Sequence, residues 1–103
     1  MVAQGELWLL ETPNDKRRPV LVISRNEAIP VLSNVVVVPV TSTIRAISTC
    51  VPVGPDEGID HDSVATFDNM AAVPKELLTL RLGSLGSSAR VLICSALRAM
   101  ADC

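Results

Sequence analysis

The sequence predicts a mainly β domain, a small barrel of roughly six or seven short strands with a C-terminal helix. Three observations carry this. Aromatic residues are nearly absent (Trp8, Phe67 and no Tyr), so the core has to be built from Val, Leu, Ile and Ala, and the Val-rich runs suit strands. Clusters of Pro, Gly, Asn and Asp cut the apolar runs into pieces too short for typical helices. Only the segment after Leu85 changes to helical spacing. With 103 residues, 49% of them hydrophobic, the chain is long enough for one compact core and too short for two, so residues 1–103 read as a single domain.

Taken in order, Glu6 to Glu11 is the first strand, ended by the turn formers Thr12-Pro13-Asn14-Asp15. Pro19 to Ser24 is the second, with its proline at the first position, where a strand tolerates one. Residues 25–33 have a weak pattern broken by Pro30, and Asn34 to Thr41, with its run of valines, supplies a central third strand. Ser48 to Val53 alternates and reads as the fourth, ended by Gly54-Pro55. Ser63 to Phe67 and Met70 to Val73 are two more around Asp68-Asn69, and Leu80 to Leu82 closes the sheet before Gly83. Leu85, Ala89, Leu92, Ile93, Ala96, Leu97 and Met100 then recur on one face of a helix with Ser87 as its N-cap.

A formal net charge of -2 and a pI of about 5.2 exclude a protein that coats nucleic acid by bulk electrostatics; any RNA binding has to use a local patch. The 3 cysteines form no CxxC pair, so neither a disulfide framework nor a zinc ribbon is expected. They read as a strand thiol (Cys50), a buried helix thiol (Cys94) and a terminal one (Cys103), at home in a reducing cytoplasm. Leu7 to Leu10 is shorter than a signal-peptide core, and Val35 to Val40 is far below the roughly 20 residues that span a bilayer, so a cytoplasmic protein without membrane association is expected.

Lys16-Arg17-Arg18 puts three cations in a turn leading into a strand of an otherwise acidic chain. Such a triplet suits phosphate, and equally suits a solvated turn whose basic edge blocks aggregation. Thr41-Ser42-Thr43, followed by Arg45, sets three hydroxyls where a buried strand emerges, either as part of a site or as caps for exposed backbone. His61 is the default general base of a ribonuclease. Its loop, Asp56 to Asp62, carries four acids and repels phosphate, so its plainer reading is a solvated connection. The acids do not follow EF-hand spacing, and Walker, GxGxxG, HExxH and GxSxG motifs are absent; no metal or cofactor is expected.

The segments Gly5-Glu6-Leu7-Trp8, Arg18-Pro19-Val20-Leu21-Val22-Ile23-Ser24, Val37-Val38-Pro39-Val40-Thr41-Ser42 and Asp62-Ser63-Val64-Ala65, in that order, resemble the MazF/PemK family of toxins. The likeness spans nearly the whole chain. Leu82-Gly83-Ser84-Leu85 before a helix is also similar to the family's ending. The resemblance implies an SH3-like barrel with a C-terminal helix, a two-fold homodimer, and a sequence-selective endoribonuclease of single-stranded RNA held in check by a cognate antitoxin protein.

Carried over by position, the family's catalytic arginine before the proline falls on Arg18, and its threonine at the end of the long strand falls on Thr41. Those residue types fit the reaction, because RNA brings its own nucleophile: the 2′-hydroxyl attacks the adjacent phosphorus and needs no metal-bound water. Arg18 would hold two phosphoryl oxygens with paired donors while the Thr41 hydroxyl adds a third contact. The expected products are a 2′,3′-cyclic phosphate and a 5′-hydroxyl. Because the turn between the first two strands is shorter than in many relatives, Lys16 and Arg17 are expected to take a larger share of backbone binding, with Ser42, Thr43 and Asn69 contacting base or phosphate.

Two other functions fit the same fold. A non-enzymatic inhibitor, similar to the toxins that poison DNA gyrase, would not need the Arg18 and Thr41 pair. An SH3-like module for proline-rich peptides would need an aromatic groove that Trp8 alone does not supply. The apolar helix and high hydrophobic content add support for a dimer, since they leave more apolar surface than one small core needs.

Overall fold

The computed structural model describes residues 2–14 and 16–101; the expectations placed on Asp15 and Cys103 lie outside them. Strands β1 (Glu6–Leu10), β2 (Arg18–Val22), β3 (Asn34–Thr41), β4 (Cys50–Val53), β5 (Ser63–Thr66), β6 (Ala71–Pro74) and β7 (Leu78–Ser84) precede helix α1 (Ala89–Ala101). All strand pairs are antiparallel, in the order β4-β5-β3-β2-β1-β7, with β6 also paired to β3. The expected small barrel is therefore present as a curled half-barrel. No helix among the described residues is long and apolar enough to cross a membrane.

Strand β3 makes the curl. On one edge it pairs with β2 (Val37↔Val22, Val38↔Leu21, Pro39↔Val20). On its other edge it pairs first with β6, as far as Val37↔Ala71, and then with β5, from Val40↔Ala65. Ile23 N–H donates to the Val36 carbonyl at 3.0 Å, so alternation assigns Val36 and Val38 to the β2 ladder and turns the nitrogen of Pro39 to the other edge. That is where β6 hands over to β5. A proline inside a central strand, ordinarily excluded, is accommodated because the position has no ladder bond to lose.

The period of two splits the apolar residues between the two faces of the sheet. Leu7, Leu21, Ile23, Val38, Ala65 and Phe67 form the main core on the concave face, which α1 covers through Ile93 and Ala96. Val20, Val22, Val35 and Val37 point the other way into a smaller core with Leu78, capped by Ile29 from the turn at 25–32. Lys75 holds that turn by donating from Nζ to the Ile29 carbonyl at 2.7 Å. Ser24 ends β2 early: its hydroxyl accepts the Val36 N–H at 2.8 Å, while the Ile23 carbonyl is taken by Gln4 Nε2 at 3.0 Å.

Backbone contact between Gly58 and Gly83 joins the two ends of the sheet. Gly58, at φ +91°, ends the 3-10 turn Pro55–Glu57 that follows β4, and Gly83 lies in β7. A Cβ on Gly58 would meet the Leu82 carbonyl oxygen at 2.0 Å, and one on Gly83 would meet that of Glu57 at 2.0 Å. The half-barrel is thus closed by direct backbone apposition that no side chain permits.

Several boundaries differ from expectation. β4 begins at Cys50 because Ser48 and Thr49 belong to a turn, and β7 extends to Leu78–Ser84 because β1 pairs along it. Phe67 does not extend β5; it opens the 3-10 turn Phe67–Asn69 as a fully buried anchor, and β6 starts at Ala71. Ser87 is not the helix N-cap, since it lies inside a further 3-10 turn, Gly86–Ser88, that leads into α1. Cys94 is exposed rather than buried, because it lies one position round the helix from Ile93, off the face that meets the sheet.

Candidate active site

Arg18 is the first residue of β2 and shares a face with Val20 and Val22, while Thr41 is the last residue of β3 and shares a face with Val35 and Val37. The second core covers those valines and ends before Arg18 and Thr41. The β2–β3 register ends at Val20↔Pro39, and Arg18 and Thr41 follow two residues beyond it, one on each strand. Residues separated by more than twenty positions in the chain are thus brought to one place by strand pairing alone.

Both line an open groove of about 660 Å³, together with Ser42, Thr43 and Asn69. Thr41 is half-buried, and its Oγ1 accepts the backbone N–H of Thr43 at 3.2 Å. With that acceptance made, the hydroxyl hydrogen of Thr41 is left to donate into the groove. Asn69 arrives from the far side on the turn Phe67–Asn69, held by the buried ring of Phe67 and by the Phe67 N–H donating to the Thr49 carbonyl at 3.0 Å.

Three further polar groups of the groove were missed from sequence: Arg45, Thr66 and Asp68. Arg45 had a visible signal, a second cation shortly after the three hydroxyls. Asp68 had none, because the partner that orients its carboxylate is remote: the Thr49 hydroxyl donates to Oδ2 at 2.7 Å. Lys16 and Arg17 do not line the groove. They lie next to Arg18 on the exposed approach to β2, where Arg17 Nη1 meets Glu11 Oε1 at 3.5 Å. His61 stands apart from the groove as well, on the rim of a separate cavity. Among the described residues no three His, Cys, Asp or Glu side chains converge as metal ligands, and the acidic loop forms no such group.

Two guanidinium side chains and a set of hydroxyl and amide groups along an open cleft match a phosphodiester chain: the cations meet non-bridging oxygens, and the neutral groups meet sugars and bases. These features define a class, a small antiparallel half-barrel with an open groove at the ends of β2 and β3 that carries two guanidinium groups beside hydroxyl and amide groups.

Comparison with known proteins narrows this class. Residues 3–101 match the family described as the PemK-like, MazF-like toxin of type II toxin–antitoxin systems. The chain is 38% identical over 102 residues to "Probable endoribonuclease MazF5" of Mycobacterium tuberculosis, covering 98% of this chain and 94% of the relative. The structure of Mycobacterium tuberculosis toxin MazF-mt6 superimposes with a TM-score of 0.85 at 33% identity, over 94% of this chain and 96% of that one. A structure titled "Endoribonuclease in complex with its cognate antitoxin from Mycobacterial species" aligns with a TM-score of 0.81 at 26% identity, over 95% and 92%. The chain belongs to the PemK-like, MazF-like toxin family.

Proposed function

We propose that the protein is the toxin of a type II toxin–antitoxin pair, a cytoplasmic endoribonuclease that cuts single-stranded RNA without a metal ion. The observation that carries this is that Arg18 and Thr41, from the ends of β2 and β3, line one open groove. The 2′-hydroxyl of the nucleotide before the cut attacks phosphorus and gives up its proton to water, while the bond to the 5′-oxygen breaks and that oxygen takes a proton from water to leave as the 5′-hydroxyl. Charge builds on the phosphoryl oxygens, where the Arg18 fork meets two of them and the Thr41 hydroxyl donates to the phosphoryl group. Arg18 acts electrostatically, through the paired donors of its fork. The products are a 2′,3′-cyclic phosphate and a 5′-hydroxyl.

Arg45 supplies a second cation to the phosphate chain inside the groove, with Lys16 and Arg17 binding backbone at its entrance. Ser42, Thr43 and Asn69 serve as hydrogen-bonding contacts for base or phosphate. The chain works as one domain and as a homodimer, for which the exposed Val31, Leu32, Leu80 and Val91 offer apolar surface. A cognate antitoxin covers the groove and blocks RNA.

The test is incubation of wild type and Arg18→Ala with a long unstructured RNA in EDTA, with mapping of the cut ends. Discrete cuts with 5′-hydroxyl ends from wild type alone are expected. Growth arrest in cells with intact RNA would replace this reading with a non-enzymatic inhibitor on the same fold.

A further inference from the structure

Beside the groove, at the mouth of the half-barrel, lies a second cavity of about 340 Å³ that the cleavage chemistry does not use. Its walls are apolar, with Leu9 of β1, Pro19 of β2 and Leu82 of β7 continuing the concave face beyond the main core. Its polar residues are Ser42, Ser63 and the exposed Asp60 and His61, with the Ser63 hydroxyl already donating to the His61 carbonyl at 3.0 Å, and among the described residues no Lys or Arg lines it. Val40 and Ser42 line both this cavity and the groove, so the two adjoin at the end of β3.

We infer that this cavity takes one unstacked nucleobase next to the cleaved phosphate and selects bases that carry an exocyclic amino group over uracil. This rests on the ribonuclease reading for the identity of the polymer. The chemistry of the lining leads to the choice. A carboxylate without a neighbouring cation repels phosphate, so the occupant is the neutral part of a nucleotide. Apolar walls and an imidazole edge suit the face of a base, as in other sites for splayed-out RNA. The volume is at the small end of ligand cavities, roughly 300 Å³ and upward, with room for one base. Asp60 only accepts hydrogen bonds when ionised. It therefore accepts from the exocyclic amino groups of cytosine, adenine and guanine, whereas uracil offers it a single ring N3–H flanked by two carbonyl oxygens that a carboxylate repels. Thr41 lines only the phosphate groove and the next residue, Ser42, lines both groove and cavity, so a base in the cavity would sit beside the phosphate held at Thr41.

The chain has 1 histidine, so its imidazole signal in a proton NMR spectrum reports on this cavity alone. Titration of wild type and Asp60→Asn with cytidine, adenosine, guanosine and uridine tests the inference without any cutting. In wild type the three amino-bearing nucleosides should shift the His61 signal at concentrations about tenfold below those uridine needs, the discrimination one charge-assisted hydrogen bond supplies. In Asp60→Asn, whose amide both donates and accepts, the difference should fall to about threefold or less. Cut-site sequencing on a randomised RNA should show one position next to the cut where uracil is disfavoured in wild type and accepted in Asp60→Asn. Equal shifts by all four nucleosides, no shift by any, or an Asp60→Asn preference identical to wild type would overturn the inference. A wild type that cuts no RNA would remove the ribonuclease reading, and the titration would still decide what the cavity accepts.

Discussion

Thr41 accepts the Thr43 N–H through Oγ1, and this bond orients a hydroxyl whose hydrogen is the part the reaction would use. Thr41→Ser should accordingly retain most cutting, while Thr41→Val should lose about a hundredfold or more in single-turnover RNA cleavage, the scale of removing one transition-state donor. Arg18→Lys should fall well below wild type, because an ammonium offers a point charge where a fork is needed. Glu6 makes a different prediction at this scale. Burial raises its pKa, but hydrogen bonds from Arg81 Nε (2.7 Å), Trp8 Nε1 (3.0 Å) and the Ala3 N–H (2.7 Å) outweigh it and hold the carboxyl below its ordinary value of 4.5. A depressed folded-state pKa means the stabilisation is complete above the unfolded value and is lost as pH falls through the folded one. Glu6→Gln should therefore cost about 1–3 kcal/mol in denaturant melts at pH 7, and progressively less as the pH is lowered below the ordinary carboxyl value.

Each element is set by one or two contacts that end it or lock it in place. Gly83→Ala should lower stability by about 1–3 kcal/mol or more in thermal melts, since backbone has to move at the Gly58 contact that joins the ends of the sheet. Ser24→Ala leaves the Val36 N–H without its partner and should cost about 1–3 kcal/mol, loosening the start of β3 and, through it, the approach to the groove. The 3-10 turn Phe67–Asn69 shows how packing serves the site: the fully buried ring fixes the two polar residues that follow it.

The molecule as a whole is acidic, with net charge -2, yet its cations near the groove lie on two short stretches, Lys16 to Arg18 and Arg45. Binding to RNA should therefore be local and salt-dependent. For a single strand the slope of log affinity against log salt is about -0.7 per phosphate neutralised. The double variant Lys16→Ala/Arg17→Ala should flatten that slope by up to about 1.4 while leaving the cut-site sequence unchanged, measured by fluorescence anisotropy across a salt series. A slope that does not change would place the RNA path away from the turn before β2.

Residue order by itself determined the mainly β class, the central place of β3 and the concave-facing stripe of α1, because periods of two and of helical turns are local properties of the chain. The cation triplet ending at Arg18 and the hydroxyl triplet starting at Thr41 were visible in the residue order, and their roles were implied only by the resemblance to the MazF/PemK family. The tertiary structure alone decided that these two motifs meet, since their apposition depends on the β2–β3 register, and that β3 changes partners at Pro39. It also decided the orientation of Asp68 by Thr49, the removal of His61 to a separate cavity and the exposure of Cys94. Those outcomes arise from contacts between distant segments, and no spacing along a single chain encodes which side chains such contacts will cover.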